Sequence, residues 1–568
     1  MAVVHITING RELSVDAGIS VLQAAKQAGI DIPTLCHHPA LPDIGACRMC
    51  LVEVAKQRAL QPACTFPVSE GMEVQTESPK VVAARKFVLE LLFSERNHYC
   101  MFCQMSGDCE LQALAYRYDL THWTYDRSYE PMPTDATRRY FMLDHNRCIL
   151  CRRCIRACEN ITANHTLGTR QRGSKTMICA DFGVPFGEST CVSCGTCLQV
   201  CPTGALIDRA SAYRGRDRDC ELEHSKMVCA GCAVGCAVDV VSRANHVVRI
   251  GSVWEAEPNR GQLCIKGRFE PLDEMRPRVT KPMVRRNGSL QETDWATAVE
   301  AAATGFRQAK TSAALATPRA TNESYKALAS AFGKAGIWGS GLPSLGFGRA
   351  GELADILNGD AIIVVGADPA ESHPVVAYLI RRALDKGARL FLIDGGGEYL
   401  APYALSSVAD AQAAQVVQVA AGAASPVVVY GAGVGAGARQ ALKALDGKAG
   451  FIALPGGTNA RGAAAAGIGA WNGLQAVDAL YVLAGDDPYL PATLPQARFL
   501  VVQAAHRSDL TDKADVVLPS PAWMERTGTL TGLDGRERSF DAALAAPEGV
   551  QTEWQPLVSL AQALGKGK

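Results

Sequence analysis

Two cysteine runs constrain this chain more than any other feature. Residues 148–158 read CILCRRCIRAC and residues 191–202 read CVSCGTCLQVCP, so each run has the spacing C-x2-C-x2-C-x3-C. Three thiolates at this spacing fit three corners of one iron–sulfur cubane, whereas the fourth cysteine starts a helix and ligates the other cubane. Zinc knuckles, the alternative, normally use single C-x2-C units separated by a longer gap. We therefore predict two [4Fe–4S] clusters, one held by Cys148, Cys151, Cys154 and Cys201 and the other by Cys191, Cys194, Cys197 and Cys158.

Length and composition narrow the class of protein. A chain of 568 residues is long enough for several domains. Lysine plus arginine equals aspartate plus glutamate at 57 each, which argues against a nucleic-acid partner. The N-terminus lacks the pattern of a signal peptide, so the clustered cysteines, which are most of the 21, are predicted to be metal ligands in a cytoplasmic protein rather than disulfides. The uncharged run 411–438 is rich in Gly and Ala and predicts a helix, a turn, a strand and a loop, so no membrane span is expected.

The N-terminal segment predicts a small [2Fe–2S] domain. Alternating residues across Asn9-Gly10 indicate a hairpin, and Ser20 caps a helical pattern. The stretch 33–54, PTLCHHPALPDIGACRMCLVEV, resembles the [2Fe–2S] domain of the large iron–sulfur subunit of respiratory complex I. The same module occurs in NAD-linked formate dehydrogenases and iron-only hydrogenases, and it implies a β-grasp ferredoxin. Its ligands would be Cys36, Cys47, Cys50 and Cys64, spaced C-x10-C-x2-C-x13-C.

The next segment, residues 81–112, resembles the region of those families that binds a [4Fe–4S] cluster through one histidine and three cysteines. Cys100, Cys103 and Cys109 match its C-x2-C-x5-C motif. The usual histidine stands four residues before the first cysteine, where this chain has Arg96. We predict that His98 is the fourth ligand; the alternative is a hydrogen-bond donor to a cluster sulfur.

A fifth cluster is predicted after the paired one. Cys229, Cys232, Cys236 and Cys264 are followed by Lys266, and this pattern is similar to the first domain of molybdopterin oxidoreductases. A zinc ribbon is the alternative for these cysteines. In active members of that family the equivalent lysine lies between cluster and pterin, and otherwise Lys266 would only neutralise thiolate charge. Cys179 and Cys220 fit no ligand pattern and are predicted to be buried thiols.

The C-terminal half contains no cysteine after Cys264 and resembles the large molybdopterin domain. Residues 360–394 predict a right-handed βαβ unit, and the strand at Val427 is expected to open a second α/β layer. That strand precedes GAGVGA, a match to G-x-G-x-x-[GA], which is weak evidence for a dinucleotide site because Gly and Ala are frequent here.

Several departures from the family argue against an active pterin site. Formate dehydrogenases bind molybdenum or tungsten through a cysteine or selenocysteine, and neither occurs between Ala314 and Asp360. The family's D-P-R motif is Asp394-Gly395-Gly396 here, and an inserted domain and a C-terminal capping domain are missing. We expect a degenerate scaffold without molybdopterin and without catalytic residues. The remaining candidates for a metal ligand in that region are Ser340, Ser344 and Asp355.

Together these patterns predict an α+β multidomain protein. The predicted domains are a β-grasp [2Fe–2S] ferredoxin at 1–78, a histidine/cysteine-ligated [4Fe–4S] domain at 79–138, a 2×[4Fe–4S] ferredoxin at 139–217, an all-cysteine [4Fe–4S] domain at 218–275 and a truncated α/β molybdopterin-oxidoreductase-like domain at 276–568.

The predicted function is electron transfer through one [2Fe–2S] and four [4Fe–4S] clusters. The resemblance implies a partner subunit that binds FMN and NADH, a small [2Fe–2S] subunit and a further redox subunit. It also implies a cytoplasmic location, or attachment to the cytoplasmic side of a membrane through partners. The complex I subunit often keeps only part of the paired cluster motif, whereas formate dehydrogenase relatives keep all eight cysteines, as this chain does. The alternative is therefore a catalytic formate dehydrogenase that uses molybdenum or tungsten.

Overall fold

The computed structural model describes residues 2–125, 131–214, 222–339, 341–471, 476–491 and 493–566. These residues form two compact units, Met1–Leu222 and Glu223–Lys568, which are treated separately below. Of the helices in the described ranges, none is long and apolar enough to span a lipid bilayer.

The N-terminal unit begins with a five-stranded sheet of order β2-β1-β5-β3-β4. Asn9 and Gly10 have φ values of 51° and 80°, so the predicted hairpin turn is present between the first two strands. Ser20 accepts a hydrogen bond from the Gln23 amide and caps the first helix, as predicted. The elements are β1 Val3–Ile8, β2 Arg11–Asp16, α1 Val21–Gln27, β3 Leu51–Val54, β4 Gln61–Pro62 and β5 Met72–Gln75.

The rest of this unit consists of short elements around the cysteine loops. They are α2 Pro79–Glu95, α3 Glu110–Arg117, β6 Thr134–Asp135, β7 Phe141–Asp144, α4 Arg153–Ala157, β8 Leu167–Arg170, β9 Met177–Ala180, α5 Thr196–Val200 and β10 Leu206–Asp208. Cys158 stands at the C-terminal cap of α4 and Cys201 at that of α5. The expectation that the fourth cysteine starts a helix was therefore wrong for Cys201, whereas Cys158 is also the first residue of a π-helical turn, Cys158–Thr162, that continues α4. The x3 gap places the third and fourth cysteines one helical turn apart, so the fourth lies at the end of the helix that carries the third.

The second unit opens with a three-stranded antiparallel sheet of order β11-β12-β13. Its elements are β11 Glu223–Val228, β12 Ala237–Arg243, β13 His246–Ser252 and α6 Ile265–Arg268. The Cys229 amide donates to the Cys236 carbonyl over 2.8 Å, which closes the loop between the first two strands. This loop therefore carries three of the four predicted ligands in the segment.

The remaining residues form two larger sheets covered by helices. They comprise β14 Met283–Arg286, β15 Ser289–Glu292, α7 Trp295–Gln308, β16 Ser312–Ala316, α8 Asn322–Ala331, β17 Ala335–Ile337, β18 Arg349–Ala350, α9 Leu353–Asn358, β19 Ala361–Val365, α10 Pro369–Ser372, α11 Pro374–Asp385, β20 Arg389–Ile393, α12 Gly397–Leu400, β21 Ser406–Val408, α13 Ala413–Ala421, β22 Pro426–Tyr430, α14 Ala436–Leu442, β23 Gly450–Ala453, α15 Ala460–Ala465, β24 Gly469–Ala470, β25 Val477–Gly485, β26 Ala497–Ala504, α16 Asp509–Lys513, β27 Val516–Pro519, β28 Gly528–Thr531, β29 Glu537–Phe540 and α17 Gln555–Ala563.

The larger sheet has the order β15-β14-β27-β26-β25-β16-β17-β24, and the smaller has the order β18-β23-β22-β19-β20-β21. The predicted βαβ unit is present as β19 and β20, which pair in parallel. The predicted second layer was wrong, because β22 pairs in parallel with β19 within the same sheet. The strand order reverses between β16 and β25 in one sheet and between β19 and β22 in the other. Ligands of such sheets bind beside the carboxyl ends of the strands at these reversal points.

Candidate metal centres

The two predicted cysteine sets of the paired motif surround separate cavities. Cys148, Cys151, Cys154 and Cys201 line one cavity, and Cys158, Cys191, Cys194 and Cys197 line the other. The exchange of the fourth cysteine between the two runs is therefore present in the fold. Burial raises the pKa of Cys154 and of Cys197, so these thiols favour their neutral form unless a metal holds them as thiolates.

Matching backbone geometry shapes both loops. Leu150 and Ser193 have φ values of 52° each, and their amides donate to the sulfurs of Cys148 and Cys191 over 3.4 Å. Two residues further on, Arg152 and Gly195 are also left-handed. Left-handed residues turn successive amides toward one side of a loop, and such amides stabilise negative charge. The same local geometry at both runs agrees with the sequence duplication.

A third cavity is lined by His98 together with Cys100, Cys103 and Cys109. The three cavities are similar in size. In the described part of the chain, no three His, Cys, Asp or Glu side chains are grouped so as to hold a metal ion. Each of the three sets instead lines a cavity that separates its side chains.

His98 is positioned as a metal-ligating histidine would be. Its Nε2 atom is buried without a hydrogen-bond partner, and the ring bonds to the Leu92 backbone. Ligating histidines usually fix their orientation by donating the other ring N–H to such a group. Burial lowers the pKa of His98 to about 4, so the imidazole is neutral and its free nitrogen can accept a metal. Arg96, at the family's usual histidine position, instead donates to the Thr176 carbonyl over 2.6 Å.

Sequence reasoning missed two residues that touch Cys103. Arg147 donates from Nη1 to the Cys103 sulfur over 3.4 Å. At Gly204, a Cβ atom would lie 2.7 Å from that same sulfur, so only glycine fits there. Both residues are distant from Cys103 in the chain, and no local motif marks them.

The four N-terminal cysteines also lie together. The Cys36 amide donates to the Cys47 sulfur over 3.3 Å. Hydrogen bonds with the Cys47 and Cys64 side chains lower the pKa of Cys36 to about 2, and the contact with Cys36 raises the pKa of Cys47. Cys50 and Cys64 are hydrogen-bonded to each other as well. Four neighbouring thiols of this kind form a suitable donor set for iron.

Cys229, Cys232, Cys236 and Cys264 form the last set. All four are buried. Burial strongly raises the pKa of Cys236, and negative charge on the other three thiols would raise it further. The Gly231 amide donates to the Cys229 sulfur over 3.3 Å. Lys266 Nζ donates to the Glu371 carbonyl over 2.6 Å, so its ammonium is held against α10, which follows β19. The predicted buried thiol Cys179 is confirmed as buried, and Cys220 lies outside the described residues.

The reversal point of the smaller sheet does not fit a nucleotide. Gly431 and Gly433 donate to the carbonyls of Val365 and Gly366 over 3.0 and 3.1 Å, so the two loops are in backbone contact. The carboxylate of Asp410 accepts the amides of Gly437 and Ala438 at 2.8 and 2.7 Å. These amides begin α14, where a dinucleotide would place its phosphates. The chain's own carboxylate occupies that position.

The candidate metal ligands of this half have structural partners. Asp355 accepts the Glu352 amide over 3.1 Å and pairs with Arg349 over 3.3 Å, which caps α9. Ser344 accepts the Gly346 amide over 3.3 Å within a turn. Ser340 lies outside the described residues. Asp355 and Ser344 are therefore engaged in local structural contacts.

Comparison with known families agrees with this layout. The chain matches a 2Fe-2S iron-sulfur cluster binding domain at 1–79, an NADH-ubiquinone oxidoreductase-G iron-sulfur binding region at 85–123, a 4Fe-4S dicluster domain at 147–205, a molybdopterin oxidoreductase Fe4S4 domain at 224–271 and a molybdopterin oxidoreductase domain at 278–434 and 453–563. The fold and the cysteine sets thus define an iron–sulfur protein of the molybdopterin oxidoreductase superfamily.

Relatives that align along most of the chain specify the family. The chain is 30% identical to the NADH-quinone oxidoreductase G subunit of Streptomyces coelicolor over 95% of its own length and 76% of that protein. It belongs to the family of NADH-quinone oxidoreductase G subunits. It is 32% identical to the G subunit 2 of Rhizobium meliloti over 67% of this chain but spans only 46% of that longer relative. It is also 28% identical to the NADPH-Fe(3+) oxidoreductase subunit alpha of Geobacter sulfurreducens, over 98% of this chain and 81% of that protein.

One solved structure is similar over part of the chain. A chain of the NAD+-reducing [NiFe]-hydrogenase is 33% identical, with 38% of this chain and 90% of that chain covered and a TM-score of 0.34.

Proposed function

We propose that this chain is an electron-transfer subunit of an NADH-linked oxidoreductase and has no substrate chemistry of its own. The observation that carries the proposal is the separation of the cysteine-rich half into distinct four-ligand sets. Iron–sulfur clusters accept and release single electrons, and that is the chemistry they would supply here. The relatives' names support a subunit of a larger NADH- or NADPH-dependent complex.

The proposed ligands follow the five sets. A β-grasp [2Fe–2S] domain would use the first set, and four [4Fe–4S] clusters would use the others. The proposed sets are Cys36, Cys47, Cys50 and Cys64; His98, Cys100, Cys103 and Cys109; Cys148, Cys151, Cys154 and Cys201; Cys158, Cys191, Cys194 and Cys197; and Cys229, Cys232, Cys236 and Cys264.

The protein's own groups would set the reduction potentials. Arg147 donates to the Cys103 sulfur and brings positive charge beside it, which favours the reduced state. Ligation by His98 would also raise the potential of that cluster, as histidine does in Rieske centres. The set that contains His98 is therefore proposed to have a higher potential than an all-cysteine cluster in the same surroundings would have.

Partners would supply the substrate chemistry. We propose a flavin subunit that binds FMN and NADH, a small [2Fe–2S] subunit and a further redox subunit, in a cytoplasmic or peripherally attached complex. The alternative is a catalytic formate dehydrogenase, which the complete set of eight ferredoxin cysteines favours. The lack of a cysteine between Ala314 and Asp360 argues against it, because formate dehydrogenases bind molybdenum or tungsten through a cysteine or selenocysteine in that region.

Metal analysis of the protein purified from its native host tests the proposal. Five clusters predict about 18 iron atoms per chain, the sum of one two-iron and four four-iron clusters. Partner subunits that co-purify should include a flavoprotein. Stoichiometric molybdenum or tungsten with pterin would overturn the proposal in favour of the formate dehydrogenase alternative. Iron and sulfide without either metal would exclude that alternative.

A further inference from the structure

One buried arginine of the N-terminal unit is not a ligand, although ligands stand on both sides of it. Arg156 lies in the last turn of α4, between Cys154 and Cys158, and only 5% of its surface is exposed. These two cysteines are proposed as ligands of different clusters. The spacing of the cysteines assigns no role to Arg156, but the contacts of its side chain define one.

The guanidinium of Arg156 joins two ligand loops that are far apart in the sequence. Its two terminal nitrogens donate to the backbone carbonyls of Cys36 and Pro42, which belong to the loop of the [2Fe–2S] set. Nη2 also donates to the Cys151 carbonyl over 3.4 Å, in the loop of a [4Fe–4S] set, and Nε donates to the Arg152 carbonyl over 3.3 Å. Arginine suits such a contact because its planar fork presents several donors in fixed directions.

The positive charge of Arg156 has no carboxylate partner in the part of the chain that the structure describes. Its guanidinium bonds only to backbone carbonyls, which are neutral. By contrast, Arg153 in the same helix is paired with Glu110 over 2.6 and 2.8 Å. A buried charge without a countercharge is costly. Thiolate ligands at the Cys36 and Cys151 loops would supply that countercharge.

We propose that Arg156 is a positioning residue that joins the Cys36 set to the Cys148 set and favours the reduced state of the cluster at each. This inference rests on the proposed function, because it requires clusters at both sets. Reduction adds one electron, and therefore one negative charge, to a cluster. A fixed cation buried beside both sets stabilises the added charge, since the protein interior screens it much less than water does.

An EPR-monitored redox titration of the full-length, cluster-loaded chain tests the effect of the charge. The two relevant signals are those that Cys47→Ala and Cys154→Ala remove. Arg156→Gln keeps an amide donor but removes the charge, so both midpoint potentials should fall. The preference of each cluster for its reduced state should decrease roughly tenfold or more, and each tenfold change equals about 59 mV for a one-electron couple. Arg156→Lys keeps the charge but loses the fork, so its midpoints should stay close to those of the wild type.

The matched control is Arg11→Met in the same [2Fe–2S] domain. Arg11 also donates to a backbone carbonyl, that of Ala28 over 2.7 Å, but it is exposed. Water and salt screen the charge of an exposed side chain. Both midpoints should therefore keep their wild-type values in this variant.

Unshifted midpoints in Arg156→Gln would overturn the inference and leave the proposed function intact. Midpoints that fall as far in Arg156→Lys as in Arg156→Gln would also overturn it, because loss of the fork alone would then explain the shift. If Arg156→Gln loses the two clusters, Arg156→Lys decides: wild-type midpoints in that variant support the role of the charge, whereas lowered midpoints or lost iron refute it. Wild-type protein that lacks the two EPR signals would instead refute the proposed clusters themselves.

Discussion

Replacing Gly204 by alanine tests whether the His98 set encloses a cluster. The added Cβ would lie 2.7 Å from the Cys103 sulfur and 3.4 Å from the Met105 Cβ. The sulfur cannot be displaced without leaving its place beside Arg147, which donates to it over 3.4 Å. Overpacking of this kind costs about 1–3 kcal/mol. If that cost falls on the cluster-bound state, the affinity for the cluster drops roughly 5- to 150-fold.

The matched control is Gly168→Ala in β8, where a Cβ meets nothing within 4 Å. Gly204→Ala should lower iron from about 18 to about 14 atoms per chain, the loss of one four-iron cluster, and should remove one EPR signal. Gly168→Ala should retain both. Full iron content and an unchanged EPR spectrum in Gly204→Ala would refute the assignment of Cys103 as a ligand in this cavity.

Three further predictions follow from the same sites. His98→Cys should keep its cluster with a lower midpoint potential in a redox titration, and an unshifted potential would contradict ligation by His98. Cys154→Ala should remove one [4Fe–4S] EPR signal and interrupt NADH-linked turnover while partner assembly survives; persisting turnover would place the relay elsewhere. Arg526→Met should lower the free energy of unfolding in urea by about 3–5 kcal/mol, because Asp486 and Glu553 lose their buried partner. Burial opposes ionisation of Asp486, but Arg526 and Arg319 hold its pKa at about 2. Its contribution is therefore present above a pH of about 4 and lost as the pH falls toward about 2, and the effect of Arg526→Met should shrink over that range.

Local spacing made much of the ligand arrangement predictable. The gaps between Cys148, Cys151 and Cys154 place three sulfurs on one loop whatever the rest of the chain does. The duplicated run then implied that Cys201 returns to that loop, and cysteines from both runs line one cavity. The hairpin at Asn9 and the βαβ unit were predictable for a similar reason, since each depends on a short stretch of sequence.

Contacts between distant parts of the chain were not predictable from one sequence. Gly204 contacts Cys103, which lies about a hundred residues earlier in the chain. The sequence alone does not show that this sulfur requires a glycine there. The strand beginning at Pro426 was predicted to open a separate layer, but it pairs with β19. Which strands lie side by side in a sheet depends on the path of the whole chain and not on the local sequence.

The glycine-rich loop after β22 shows why a motif needs its surroundings before it can be interpreted. In a dinucleotide site, glycines let a pyrophosphate approach the backbone. Here Gly433 lets another backbone approach instead, because a Cβ on Gly433 would lie 2.9 Å from the Gly366 carbonyl oxygen. Asp410 reaches the start of α14 from 27 residues earlier and satisfies amides that a phosphate would otherwise bind. The same sequence pattern can therefore form a loop that binds a phosphate or a loop that packs against another part of the backbone. In this chain the carboxylate of Asp410 occupies the phosphate position, so the loop is of the second kind.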